Sequence, residues 1–115
     1  EMETDRNRLT QILTNLLTNA IKHTQEGFIR FGYKKSDGFV EFFIQDSGEG
    51  IPEDKVDSIF SRFVQLDDWG KGVGLGLAIC KGLVGQMQGK IWATSKLGEG
   101  SVFFVSLPLI HLNNR

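Results

Sequence analysis

Three short glycine clusters set the limits on how this chain can fold: Asp46-Ser47-Gly48-Glu49-Gly50-Ile51, Gly70-Lys71-Gly72-Val73-Gly74-Leu75-Gly76-Leu77 and Gly98-Glu99-Gly100-Ser101. Fourteen of the 115 residues are glycine, well above the ~7% of average usage. Glycine weakens helix and strand interiors, so clusters of it mark element ends. There the missing side chain lets backbone approach a ligand closely. An asparagine-bearing helix over residues 5–23 precedes all three clusters. The combination points to a nucleotide pocket.

The helix is read from spacing. Leu9, Ile12, Leu13, Leu16, Leu17, Ala20 and Ile21 recur at intervals of three and four, which makes one buried stripe. Thr4 or Asp5 caps its start and Gly27 lies just past its end. Asn15 and Asn19 are i,i+4 neighbours on one face, with Lys22 and His23 a turn further on. Asn is a poor interior helix former, so two on one face beside a lysine read as a polar site. An amide oxygen suits magnesium, which keeps several waters and shares itself with substrate phosphates, and Lys22 adds point charge. His23 alone reads as a surface or packing residue.

Residues 27–33 and 39–45 are β-branched and aromatic and read as two strands, joined through Asp37-Gly38. Pro52 opens a short helix over about 53–61, residues 64–73 have no period, and Gly74 to Met87 return to helical spacing. Residues 90–95 and 101–107 read as strands around the last glycine turn, with Pro108 ending the sheet. Hairpins with helices on one face make an α+β fold, a two-layer α/β sandwich with a mixed, mostly antiparallel sheet. At 40% hydrophobic residues the chain, 1–115, reads as one domain with one core.

A net charge of −1 gives no field to hold nucleic acid or an anionic membrane. No apolar run is long enough for a membrane span and no signal peptide is seen, so direct membrane contact by this segment is not expected. The single cysteine, Cys80, lies in an apolar helical stretch, reads as core packing and fits a reducing, cytoplasmic setting. No His/Cys cluster supports zinc.

Glycine spacing separates the nucleotide-binding classes. Gly72-Val73-Gly74-Leu75-Gly76 fits neither a P-loop nor a dinucleotide fingerprint following a strand. What it does offer is a helix whose first turn, Gly74-Leu75-Gly76, has free N–H groups and a dipole suited to phosphate. An ordinary flexible loop before a helix is the plain alternative. Asp46, at the end of an apolar strand, can accept from an exocyclic amine such as that of adenine. An Asp-Ser-Gly turn in which Asp bonds its own backbone reads equally from those residues alone.

Taken in order, the segments resemble the ATP-binding catalytic domain of sensor histidine kinases, within the wider gyrase, heat-shock chaperone and mismatch-repair ATPase group of Bergerat-type fold. Asp5-x-x-Arg8-Leu9-x-Gln11-Ile12-Leu13-x-Asn15-Leu16-Leu17-x-Asn19-Ala20-x-Lys22 is similar to the family's N box. Asp46-x-Gly48-x-Gly50-Ile51, Gly72-x-Gly74-Leu75-Gly76-Leu77-Ala78-Ile79 and Gly98-x-Gly100-Ser101-x-Phe103 resemble its three glycine boxes, and Ile59-Phe60-x-Arg62-Phe63 its phenylalanine box. The likeness covers about residues 5–109.

The resemblance implies ATP and Mg2+ as ligands. It implies that Asp46 binds the adenine amine, with Gly48 and Gly50 shaping the base pocket, and it places Ile51 and Ser101 among the nucleotide-binding residues. It implies that Asn19 coordinates magnesium, that Asn15 positions the metal or the phosphates, and that Lys22 contacts phosphate. Gly72, Gly74, Leu75 and Gly76 would cradle phosphate, with Leu77 also among the nucleotide-binding residues, and Arg62 would reach the γ-phosphate, although it also reads as a solvated arginine. Residues 64–73 would form a short lid, carrying Trp69 and anchored by Phe60 and Phe63. Lys71 and Val73 stand where the family usually has Gly and Thr, and His23 where an aromatic ring commonly stacks. Altered affinity is the expected result.

Hydrolysing relatives place a glutamate four residues before the magnesium asparagine, as base for water. Here that position is Asn15, which cannot take a proton. That favours transfer to a histidine on a separate dimerisation domain of the same protein, with a response-regulator receiver domain downstream. A non-catalytic adenine-nucleotide sensor and a serine-directed kinase of the same group are the other classes. His23 and His111 lack the context of a phosphoacceptor. The resemblance further implies a segment of a larger protein, of a kind that can be membrane-anchored, itself monomeric in isolation, whose usual strand before the first helix is absent and whose sheet therefore has an unpaired edge.

Overall fold

The computed structural model describes residues 2–22, 24, 26–60 and 74–108. The first helix, α1, spans Met2–Lys22. It leads to a hairpin of β1 (Ile29–Ser36) and β2 (Phe39–Asp46), a 3-10 turn over Glu53–Ser58, α2 (Gly74–Gln86) and a second hairpin of β3 (Lys90–Lys96) and β4 (Gly100–Pro108). Among the described residues the sheet has four strands in the order β1-β2-β4-β3, and every pairing is antiparallel. The α+β two-layer sandwich is as expected; the parallel component of a mixed sheet is not among these strands.

Strand alternation sorts the sheet into two faces. Val40, Ile44 and Asp46 of β2 and Ser101, Phe103, Val105 and Leu107 of β4 point to the helices and are buried. Ile12, Leu16 and Ala20 of α1 and Leu77, Cys80 and Val84 of α2 meet them in one core. Fully burying an aliphatic or Phe side chain contributes ~1.5–3 kcal/mol, so this layer carries most of the folding free energy. Phe60 joins it edge-on to Phe103, with ring centroids 6.0 Å apart. On the other face Gly32, Phe43, Phe104 and Trp92 stand in one cross-strand row. Trp92 stacks on Phe104 at 5.2 Å.

Four details depart from the sequence reading. β1 continues through Lys34, Lys35 and Ser36, paired with Glu41, Val40 and Phe39, so the turn is only Asp37-Gly38. A two-residue turn lets the ladder run to its end, and charged side chains are tolerated because β1 is an edge strand. Ile21, expected in the buried stripe, is 63% exposed. At 3.6 residues per turn the row Leu9, Leu13, Leu17, Ile21 rotates by roughly a third of a turn over its length, and its last member leaves the contact face. The segment after Pro52 is a 3-10 turn that ends at Ser58. The first helix begins at Met2, so Thr4 and Asp5, expected to cap it, lie within it, while Pro108 ends β4 opposite Phe39 as expected.

Candidate functional site

The helix-facing layer is apolar except at one end. Asn19, Asp46 and Ser101 are the buried polar residues among those described, at 4%, 5% and 4% exposure. All three belong to the set singled out from sequence. Asp46 closes β2, and its register partner on β4 is Ser101. Ser101 in turn pairs with Ser95 on β3. A polar row, Asp46–Ser101–Ser95, therefore crosses three strands on the core side.

Both readings of Asp46 meet in the structure. Its Oδ1 accepts the Gly48 N–H at 2.9 Å, which forms the turn expected of an Asp-Ser-Gly sequence. The side chain is nonetheless buried at the end of the sheet, where a carboxylate is costly unless hydrogen-bonded. Ser47 continues the β1–β2 ladder: its N–H donates to the Phe28 carbonyl, and its hydroxyl accepts the Phe28 N–H at 2.8 Å.

Two glycines expected to admit a ligand admit the chain itself. Gly50 has φ +78°, and a Cβ there would collide with the Lys96 carbonyl. Gly100 has φ +103°, and a Cβ there would collide with the Asp46 carbonyl. The first and third glycine clusters are thus packed backbone to backbone. The Gly98 N–H donates to the Glu49 carbonyl at 2.7 Å, and the Ile51 N–H donates to the Ser95 hydroxyl at 2.7 Å. Ile51 is fully buried beneath this junction. The reason is topological: β3 and β4 bring their connecting turn against the strand end that Asp46 occupies.

Asn15 and Asn19 separate into two environments. Asn15 is half-buried, and its side chain hydrogen-bonds the Cys80 thiol, which ties α1 to α2. Burial pushes that thiol up to about 11, and the Asn15 contact pulls it partly back. The thiol also points at the Ile12 carbonyl at 3.7 Å. Asn19 is different. Its Oδ1 is buried with no hydrogen-bond partner among the described residues. Such an oxygen costs ~1–3 kcal/mol, which folding alone does not explain. Lys22 is exposed in the last turn of the same helix.

Gly74, Leu75 and Gly76 form the first turn of α2, as expected, and Leu77 is buried in the core beneath it. Arg62, Phe63, the segment 64–73 with Trp69, Lys71, Gly72 and Val73, and both histidines, His23 and His111, lie outside the described residues. Ser95 was not singled out from sequence. Its signal was available: Ile91, Ala93 and Ser95 alternate inward along β3, and a polar residue at an inward position invites a partner.

The sequence matches the profile of the histidine kinase-, DNA gyrase B- and HSP90-like ATPases over residues 4–111. It is 43% identical over 111 residues to the aerobic respiration control sensor protein ArcB of Escherichia coli K12, covering 90% of this chain and 14% of that one. It is 39% identical over 109 residues to the adaptive-response sensory kinase SasA of Synechococcus elongatus, covering 91% of this chain and 28% of that one. The chain thus spans less than a third of the length of these relatives. Among solved structures, the catalytic domain of histidine kinase ThkA in a nucleotide-free form superposes with a TM-score of 0.77 at 34% identity, covering 90% of this chain and 67% of that one. Full-length ShkA in complex with AMPPNP superposes with a TM-score of 0.79 at 38% identity, covering 88% of this chain and 21% of that one.

Proposed function

The chain belongs to the histidine kinase-, DNA gyrase B- and HSP90-like ATPase family, among its sensor histidine kinases, and from that premise we propose that it binds Mg-ATP and presents the γ-phosphate to a histidine on a separate dimerisation domain of the same protein. The observation that carries this reading is that Asn19, Asp46 and Ser101 are the described polar residues buried in the sandwich. Each is matched to one part of the nucleotide. Asp46 accepts the adenine amine beside Ser101, with Gly48 lining the base pocket and Gly50 and the buried Ile51 shaping it from behind, through the turn they pack against β3 and β4. Asn19 holds the metal.

The orphaned Asn19 Oδ1 fits a hard cation, which takes oxygen ligands and completes its shell with water and phosphate. Bound there, magnesium would neutralise charge on the phosphate oxygens. The protein's share is positioning. Asn15 aligns α1 against α2, and Lys22 adds positive charge at the helix end. The first turn of α2 offers Gly74, Leu75 and Gly76 N–H groups to phosphate, with Leu77 anchoring the turn and Gly72 ahead of it. Arg62 reaches the γ-phosphate.

In the transfer the bond between the γ-phosphorus and its bridging oxygen breaks, and a phosphorus–nitrogen bond to the imidazole forms. ADP leaves with the bridging oxygen, and the imidazole proton is released to solvent. Such a reaction needs positioning and charge neutralisation more than covalent work by the protein. Asn15 cannot act as a base for water, which favours transfer over hydrolysis. The phosphohistidine would then serve a response-regulator receiver domain. A cytoplasmic setting and a monomeric state of this segment complete the proposal.

The test joins the chain to the histidine-bearing domain of its own protein and supplies γ-labelled Mg-ATP. Acid-labile, alkali-stable label on that domain is the expected result. Label that survives acid would indicate a hydroxyl acceptor, and nucleotide binding without any transfer would indicate a sensor.

A further inference from the structure

We infer that Ser95 fixes the hydrogen-bond polarity of Ser101, turning Ser101 into an acceptor-only group beside Asp46 and thereby setting selectivity for a 6-aminopurine over a 6-oxopurine. The inference rests on the adenine assignment proposed above and extends it to a residue outside the nucleotide-contacting set.

The protons available at Ser95 fix which group donates in each of its contacts. The Ser95 hydroxyl has three close polar neighbours: the Ile51 N at 2.7 Å, the Gly100 carbonyl oxygen at 3.0 Å and the Ser101 hydroxyl at 2.8 Å. A serine hydroxyl carries one proton and two acceptor sites. The Ile51 amide is a donor, so it takes one acceptor site. The Gly100 carbonyl is an acceptor, so it takes the Ser95 proton. Ser101 is left with the second acceptor site and must donate to it.

Any other assignment leaves a lone pair facing a lone pair at hydrogen-bonding distance. Were Ser95 to donate to Ser101, the Gly100 carbonyl would face the Ser95 oxygen at 3.0 Å with no proton between them. Ser95 is half-buried, but at 3.0 Å no water fits between the two oxygens to relieve that repulsion. Ser101 therefore spends its only proton on Ser95, and its remaining capacity is to accept.

Asp46, its register partner, is likewise an acceptor when ionised. Two adjoining acceptors match the exocyclic amine of adenine and oppose the carbonyl at the same position of hypoxanthine. A site built to accept hydrogen bonds discriminates strongly, because a mismatched ligand leaves buried groups unpaired. Ser95 touches no part of the nucleotide in this account. It is a positioning residue that works through Ser101 and, by holding the Ile51 amide, through the turn after Gly50.

The test compares ADP with inosine diphosphate, which differ at the purine 6-position and the adjoining ring nitrogen, by calorimetric binding to the 115-residue chain. The wild-type chain should prefer ADP. In Ser95→Ala the Ser101 hydroxyl is released and can turn to donate, so the preference should narrow by about fivefold or more, the order of one net hydrogen bond. Ser95→Thr restores the hydroxyl and should restore the ratio. Ser95→Cys keeps the volume but accepts weakly, and makes the same test should the alanine variant fail to fold.

A preference that stays at the wild-type value in folded Ser95→Ala or Ser95→Cys overturns the inference, even if both nucleotides bind more weakly. Equal wild-type affinity for the two nucleotides also overturns it, while leaving nucleotide binding in place. Failure of the wild-type chain to bind either one overturns the adenine assignment itself, and the inference with it.

Discussion

Asp46 and Ser101 face each other as register partners across β2 and β4, and both are buried at the same end of the core layer. Neither strand end would otherwise need a polar group there. The pairing is produced by topology: β4 lies between β2 and β3, so the turn carrying Gly98 and Gly100 is brought against the turn carrying Gly48 and Gly50. The adenine end of the proposed site is thus a junction between two hairpins.

Asp46→Asn keeps an oxygen able to accept the Gly48 N–H and so keeps the turn. It removes the charge that strengthens a bond to an amine, worth ~1.5–3 kcal/mol for a charged acceptor, so ADP affinity should fall by about tenfold or more. The melting temperature without nucleotide should stay near that of wild type. Calorimetry decides, and unchanged affinity would remove Asp46 from the pocket.

Asn19→Ala should leave the fold standing, because the lost oxygen had no partner among the described residues. Its effect should appear in the magnesium response. ATP binding by the variant should no longer strengthen when magnesium is added, whereas wild-type binding should. If magnesium still tightens ATP binding in the variant, the cation is held elsewhere.

Glycine substitutions should sort by what lies beside them. Gly50→Ala and Gly100→Ala meet a carbonyl of the opposite turn at positive φ, and each should cost ~2–4 kcal/mol in urea unfolding. Gly98→Ala also has positive φ, +85°, but opens onto empty space, and should cost only ~1 kcal/mol. Equal losses at all three positions would mean that the backbone junction does not hold the two turns together.

That junction also marks how far the sequence could be read. The α1 stripe was legible because Ile12, Leu16 and Ala20 obey a local period, and Asn19 stood out against it. Asp46 was legible as the polar end of an apolar strand. Gly50 and Gly100 were recognised as special, but not for each other. Their collision partners, Lys96 and Asp46, lie 46 and 54 positions away in the chain (96 − 50 and 100 − 46), and no local pattern encodes such a contact. Lys34–Ser36 misled through composition, since three polar residues read as a loop until the turn is known to need only two. Ser95 stayed hidden because one serine in a strand has no meaning until its register with Ser101 is known.

Cys80 gives a pH signature. Its thiol is raised from its ordinary 9.0 to about 11, chiefly by burial. The folded state therefore holds the proton to higher pH than the unfolded chain. The resulting stability is fully present below about pH 9 and is lost as pH rises through about 11. Cys80→Ala should lack that loss, so the stability gap between wild type and variant should shrink by on the order of 2 kcal/mol across this window. Urea titrations at both ends of the window check it; a gap independent of pH would place the thiol outside the apolar layer.

The central claim, a nucleotide site that uses a metal, is tested most directly by the melting temperature of the 115-residue chain with ATP, with and without magnesium. A ligand at 100 times its dissociation constant stabilises by ~2.7 kcal/mol, which is readily seen as a shift in melting. The account predicts an upward shift with ATP that grows when magnesium is added and disappears in Asn19→Ala with respect to the metal. No shift at millimolar Mg-ATP would contradict it.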